Sequence, residues 1–333
     1  MMSTLMPIAE RKRRALFAGD EGRPLRRMWM RLILFLLPIF VLLGPIIYAV
    51  DPYVLFHHRS AVPDDVRFKY GTQVNDLLWK LIAYDHDPKP NIMLGDSQMR
   101  NLPAEAVSSM TGESYANLAY DGGTLRESID TFWFASRRTN LRHVYYQISF
   151  MAYTSVIRDR VPRAEEILKN PLIYIIDPDV LEAGAYDIGD AYFHHSTDFS
   201  PKMSKEAFWQ SRLRYILELE AHRDADPGPL REELKRIVDY CNSHGIALVF
   251  VITPQSMDAQ RVIESLGIEE QYSRFKSDLA GMAPVYDCNY ESNLTVNKNN
   301  FKDPFHLEHS SALELVADLW SGHPHLCRTL GAH

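Results

Sequence analysis

Three residues in two distant stretches have the types and spacing of a nucleophile with its activating pair. Ser97 follows directly on Asn91-Ile92-Met93-Leu94-Gly95-Asp96, and Asp303 stands three residues before His306 in Asp303-Pro304-Phe305-His306. A serine hydroxyl is a weak nucleophile near neutral pH. It needs a histidine to take its proton, and that histidine needs a carboxylate to hold its tautomer. The Asp-x-x-His spacing lets one loop deliver base and carboxylate together. The chemistry of such a set is attack on an acyl carbonyl, leaving an ester on Ser97. Singly, each residue has a plainer reading: Ser97 as a helix cap, Asp303 as a turn before proline, His306 as an interface histidine. Their conjunction is what points to catalysis, while Asp96 is expected to hold the turn. His309 competes for the base role but lacks a carboxylate three residues earlier.

The elements that must position these residues follow an α/β rhythm. A chain of 333 residues, 46% hydrophobic and 24% charged, is long enough for a substantial core. Ile92–Leu94, Ser114–Leu118, His143–Ser149, Ala247–Thr253 and Pro284–Cys288 read as strands. Helical spacing over Leu125–Arg138, Leu230–His244, Arg261–Ala280 and Ser310–Trp320 separates them, with Gly245 as a helix stop. Strands alternating with helices predict a three-layer αβα fold around a parallel five-stranded sheet, flavodoxin-like in class. Ligands in such folds lie beyond the carboxyl ends of the strands. Ser97, residues 119–124, residues 149–154 and the 289–306 loop all emerge at that edge.

The N-terminus has a different character. Residues 1–31 carry eight Lys/Arg against three acids and form a basic tail. Leu32 to Val50 then holds 19 residues without a charge, roughly 28 Å as a helix, the length of a membrane span. The charge bias predicts a single-pass anchor in the cytoplasmic (inner) membrane, with the tail in the cytoplasm and the remainder extracytoplasmic, in the periplasm. Residues 51–88 read as a stalk with a docking helix around Val74–Tyr84, and residues 89–325 as the catalytic domain with an insertion at 150–228. The whole chain is −7 and residues 1–50 contribute +5, so residues 51–333 carry −12. That surface excludes general nucleic-acid binding, which rests on phosphate neutralisation. Cys241, Cys288 and Cys327 lack zinc-like spacing; one pair can oxidise outside the cytoplasm, and which pair stays open. His194-His195 among nearby aspartates gives no metal-ligand pattern. Neither a metal nor a cofactor is expected.

Gly95-Asp96-Ser97 resembles the first block of the SGNH/GDSL hydrolase superfamily, Asn117-Leu118-Ala119-Tyr120-Asp121-Gly122-Gly123-Thr124 its second, and Asp303 with His306 its last. The resemblance implies Ser97 as nucleophile, and the backbone N–H groups of Ser97 and Gly122 as the oxyanion hole. The third block departs from the pattern: its usual asparagine is absent from Gln147-Ile148-Ser149-Phe150-Met151-Ala152, leaving Ser149 as the substitute candidate. The anchor, the missing asparagine and Val249-Phe250-Val251-Ile252-Thr253-Pro254 resemble the membrane-anchored branch, namely the DltD family of teichoic-acid D-alanylation proteins and the SGNH-like alginate O-acetylation proteins.

That branch implies an extracytoplasmic serine O-acyltransferase for a cell-surface or secreted polysaccharide, partnered by a membrane-bound O-acyltransferase. Two alternatives stand beside it, a membrane-tethered esterase of the same fold and a non-catalytic envelope scaffold. Asn117, Ser149, Tyr192 and Phe193 are the substrate-binding candidates. The insertion's aromatic residues read as core packing by default, and as a lid over the site in the sharper alternative.

Overall fold

Short runs rich in apolar residues, two of them (Asn91–Leu94 and Ala247–Ile252) close to flanking prolines and glycines, become central strands, because a strand covered on both faces can be apolar almost throughout. The computed structural model describes residues 22–56, 59–154, 158–217, 228–322 and 324–331. β1 (Asn91–Leu94), β2 (Tyr115–Asn117), β3 (His143–Gln147), β4 (Ala247–Ile252) and β5 (Val285–Asp287) pair in parallel, in the order β2-β1-β3-β4-β5. This is the doubly wound 2-1-3-4-5 order, whose switch point lies between β1 and β3. Alternate residues of the strands enter two cores. Ile92, Leu94 and Phe250 face one cluster; Met93 and Val251 face the other, against helices Ala104–Thr111 and His309–Leu319.

The expected five-stranded sheet gains a sixth strand. After a small antiparallel hairpin, β6 (Phe301–Asp303) with β7 (His306–Leu307), and the closing helix, β8 (Arg328–Leu330) pairs antiparallel with β5. A disulfide between Cys288 and Cys327 lays these last residues along the β5 edge, which would otherwise offer unpaired backbone groups. Arg-Thr-Leu is too short and polar to read as a strand from alternation. Cys241 is the free thiol; it is buried in helix Gly228–His244, which pushes its pKa up to about 12.

The expected anchor falls within one helix, Gly22–Val50, and the side chains of residues 32–36 and 38–40 lie outside the described ones. Among the described residues, no helix is long and apolar enough to cross a membrane. Met28, Trp29, Met30, Leu37, Val41, Leu42, Ile46 and Tyr48 are exposed along it, whereas Ile47 and Val50 are buried. The stalk helix runs Asp64–His86, longer than the periodicity suggests, and breaks at Asn75. There the Asn75 amide donates to Asp179 (2.6 Å), and its carbonyl accepts from the Leu78 N–H (3.0 Å).

The insertion divides in two. Its first half packs on the N-terminal elements, not over the strand ends. Tyr186 stacks on Tyr70 and Phe199 meets both rings edge-on. The Tyr174 hydroxyl donates to Asp51 and accepts from the Tyr53 N–H. Gly184 lets helix Pro178–Phe193 close on Ile47 and Pro52; a Cβ there would lie 3.3 and 3.2 Å from them. This joint leaves polar groups without partners among the described residues: both Asp187 oxygens, the Tyr53 hydroxyl and Arg67 Nε, all buried. The second half, helix Lys205–Leu217, packs instead on helix Met257–Ser265 and on β6.

Candidate active site

Strand β1 delivers its last residues into a sharp turn. Gly95 takes φ +145°, and a Cβ there would fall 2.2 Å from Gln147 Oε1, so only glycine fits. The Gln147 side-chain oxygen Oε1 accepts from the Asp96 N–H (2.8 Å), and the Asp96 carboxylate caps the following turn through the Gln98 N–H (2.9 Å). Ser97 thereby opens the four-residue helix Ser97–Arg100. Among the described residues, its backbone N–H has no acceptor.

The β6–β7 hairpin brings the partner residues. His306 lies across the turn from Asp303, its Nδ1 2.7 Å from Asp303 Oδ2 and 2.9 Å from Oδ1, and its Nε2 2.8 Å from Ser97 Oγ. One imidazole thus bridges hydroxyl and carboxylate across 209 residues of sequence. With Nδ1 protonated toward the carboxylate, Nε2 is left as acceptor for the serine proton, the arrangement a general base requires. Asp303 is buried and also accepts from the Phe305 N–H (2.9 Å). Burial by itself would raise its carboxyl, but the bond and charge of His306, the Phe305 N–H and the Arg212 guanidinium outweigh that and hold it below the ordinary value. The hairpin is backed by a bond from the Ser256 N–H to the Pro304 carbonyl (2.9 Å) and by Arg212 over the Phe305 ring.

The turn at Gly122-Gly123 is held from several sides. Gly122 has φ +60° and is exposed, and its carbonyl accepts from Arg158 (2.6 Å). Gly123 packs so closely that a Cβ would sit 3.1 Å from the Gly95 carbonyl, which seats this turn against the serine turn. No acceptor for the Gly122 N–H occurs among the described residues.

The substrate-binding candidates fare differently. Asn117 is committed to the backbone: its amide donates to the Met99 and Leu102 carbonyls (2.9 and 2.8 Å), and its oxygen accepts from the Ala119 N–H (3.0 Å). Ser149 is buried, donates to Asp96 (2.8 Å) and accepts from the Ala152 N–H, so it supports the serine turn and is not a free donor. Tyr192 donates to the Ala61 carbonyl (2.8 Å) and Phe193 is exposed beside it, both on the N-terminal joint. None of these four hydrogen-bonds to the Ser97–His306–Asp303 set.

Sequence reasoning passed over Gln147, Thr253 and Gln98. These buried side chains form a chain under the serine turn, with the Thr253 hydroxyl donating to Gln98 Oε1 (2.8 Å) and lying 3.5 Å from Gln147 Nε2. The available signal was polarity at the end of two apolar strands, since a buried polar group must find a partner.

No family model and no curated protein matches this chain. Among solved structures it is similar to a provisionally assigned platelet activating factor from Streptococcus pneumonia, with TM-score 0.38 and 10% identity over 74% of this chain and 92% of that one. A provisionally assigned lipolytic protein of the G-D-S-L family from Desulfitobacterium hafniense DCB-2 gives TM-score 0.33 and 11% identity over 69% of this chain and 97% of that one. Fold and site together define the molecule: a doubly wound αβα protein with a hydrogen-bonded Ser–His–Asp array at the sheet's switch point.

Proposed function

We propose that this protein is a membrane-held, extracytoplasmic serine O-acyltransferase that moves an acyl group, most simply acetyl, onto a polysaccharide hydroxyl. The observation that carries the reading is the His306 ring, hydrogen-bonded at one nitrogen to Ser97 and at the other to Asp303. His306 Nε2 takes the hydroxyl proton as Ser97 Oγ attacks the acyl carbonyl, and Asp303 stabilises the imidazolium formed. The oxyanion points to the free N–H groups of Ser97 and Gly122, usually the largest contribution in such chemistry. Collapse expels the donor's alcohol, which leaves with the proton from His306. An acceptor hydroxyl then repeats the sequence in reverse roles, and Ser97 recovers its proton.

The basic tail, the following apolar run and the exposed apolar side chains of helix Gly22–Val50 support attachment to the cytoplasmic membrane. The Cys288–Cys327 disulfide supports an oxidising compartment for the domain. The resemblance of the motifs to the membrane-anchored branch supports a membrane-bound O-acyltransferase as donor partner. One observation favours a second reading, a tethered esterase: Gly122 is exposed, and Tyr186 and Phe199 of the insertion pack on Tyr70 and not over the strand ends, so water has access to an acyl-serine.

The test is mass spectrometry of oligosaccharides incubated with an acyl ester and the protein. Acylated sugar that disappears with Ser97→Ala is expected. Rapid hydrolysis with no acylated sugar assigns the esterase, and equal products from wild type and Ser97→Ala refute both.

A further inference from the structure

The stalk helix reaches the active site, and it does so with charged side chains. Just past the Asn75 break, Asp76 and Lys80 stand one turn apart on the face toward the catalytic domain. Asp76 is buried and accepts from Arg100 Nε (2.5 Å), the last residue of the helix that Ser97 opens. The Lys80 ammonium donates to the Ala119 carbonyl, three residues before Gly122, and lies 3.9 Å from the same Asp76 oxygen. Arg100 also faces Asp121, at 3.7 Å. The Lys80 side chain is 16% exposed and that of Asp76 5%. Two charges of one helix, Asp76 buried and Lys80 partly so, therefore grip both turns on which the chemistry depends.

We infer that Asp76 and Lys80 are positioning residues for catalysis, Asp76 fixing the serine helix through Arg100 and Lys80 fixing the oxyanion turn through the Ala119 carbonyl. The inference rests on the Ser97 acyl-transfer reading. It makes the stalk helix part of the catalytic unit and not a spacer. The geometry leaves little slack on the other side of the turn, where the Asn117 oxygen holds the Ala119 N–H, the Gly123 N–H closes on the Tyr120 carbonyl (3.1 Å) and Arg158 holds the Gly122 carbonyl. Losing the Lys80 bond frees the peptide that orients Tyr120 to Gly122, and small misplacements of an oxyanion donor are costly.

The tie also has a pH signature. Burial lowers the Lys80 ammonium to about 8, against the opposing charges of Asp76, Asp121 and Glu105 and with the help of Arg100. The ammonium is thus present below pH 8 and lost as pH rises through it, which weakens its grip on Asp76 while a neutral amine still reaches the carbonyl. An arginine at this position stays charged throughout.

The experiment is the rate of Ser97 labelling by a serine-directed phosphonate on the full-length chain, measured from pH 6 to 10. Wild type should label with an alkaline limb near pH 8. Lys80→Met should label about tenfold more slowly at saturating reagent, with half-saturation little changed. Lys80→Arg should recover most of the rate and move the limb to higher pH. Asp76→Asn should slow labelling as well. Equal rates and profiles for wild type and Lys80→Met overturn the inference. If Lys80→Met does not fold, the limb decides alone: an identical limb in wild type and Lys80→Arg overturns the inference, and a shifted one supports it. A wild-type chain that labels no faster than Ser97→Ala refutes the serine reading itself, and the inference falls with it.

Discussion

Ser97 is held from within the main sheet and His306 from outside it, and the two supports differ in kind. The serine turn is wedged between strand ends: Gly95 against Gln147, Asp96 on the Gln147 oxygen and on Ser149, Gly123 against the Gly95 carbonyl. The histidine sits on the hairpin Phe301–Leu307, tied down by one backbone bond from Ser256, by helix Lys205–Leu217, and by a covalent loop. That loop is closed by Cys288–Cys327, 39 residues apart in sequence, and encloses both Asp303 and His306. Close packing specifies a position sharply but tolerates no added atom. A crosslink leaves more play and acts chiefly by limiting where the unfolded loop can go.

Removal of the reacting groups should break both halves alike. His306→Ala and Asp303→Asn should each lower turnover by roughly 10³–10⁴ with the fold intact, and the double variant should lose little more, because the residues act as one unit. Steady-state kinetics beside circular dichroism checks this; additive losses would mean that the residues do not work together.

The halves should then separate. Gly95→Ala drives a methyl into Gln147 and should lower turnover by about 10²-fold or prevent folding. Shortening the obstacle in Gly95→Ala with Gln147→Ala should recover part of the loss, although the Asp96 N–H then lacks its acceptor. No recovery would place the obstacle in the Gln147 Cβ and backbone oxygen, 2.9 and 3.0 Å from that methyl, or in the positive φ at Gly95, and not in the amide group. Cys288→Ser should act on the other half. Stability should fall by about 3–4 kcal/mol, the loop-closure value for a loop of this length. Hydrogen exchange should quicken over residues 301–307 and stay slow over 92–98; equal quickening in both would end the distinction drawn here.

The smallest effect is expected from a region that supports neither half. Burial raises Asp187 to about 7, against the partly offsetting charge of Arg67 and reinforced by Asp190. A carboxyl whose folded pKa is raised costs nothing below the ordinary value near 4 and destabilises increasingly as pH rises toward 7. Asp187→Asn should therefore leave the melting temperature unchanged near pH 4 and raise it by a few degrees above pH 7, with labelling of Ser97 unaffected. A gain that is the same at both pH values would contradict the buried-charge account.

Much of this arrangement was readable in the chain. The parallel strands announced themselves as apolar runs such as Ala247–Ile252, and the meeting of Ser97, Asp303 and His306 was expected from residue type and from placement at strand ends. β8 was not readable, because a crosslink rather than side-chain alternation sets it on the edge. Ser149 and Asn117 looked available for substrate because a polar residue near a site has no visible partner in one dimension. Both are consumed by neighbours, Asp96 for one and three backbone groups for the other. Asp76 and Lys80 went unnoticed for the converse reason. Their spacing of four is that of any solvated helical ion pair, and only the break at Asn75 turns them inward.

The position of Cys241 has a consequence for how the molecule matures. If the chain enters an oxidising compartment from its N-terminal end, Cys241 and Cys288 are both outside before Cys327 arrives. The first crosslink a thiol oxidant can form is then one the finished molecule lacks. Only when helix Gly228–His244 seats against the sheet does Cys241 leave the competition, sealed in apolar surroundings with its thiolate suppressed. On that route biogenesis has a required order, packing before bonding, or else a rescue by thiol exchange. Host cells deficient in disulfide isomerisation should accumulate a Cys241–Cys288 species, detectable by peptide mapping, and Cys241→Ser should remove the need for that rescue.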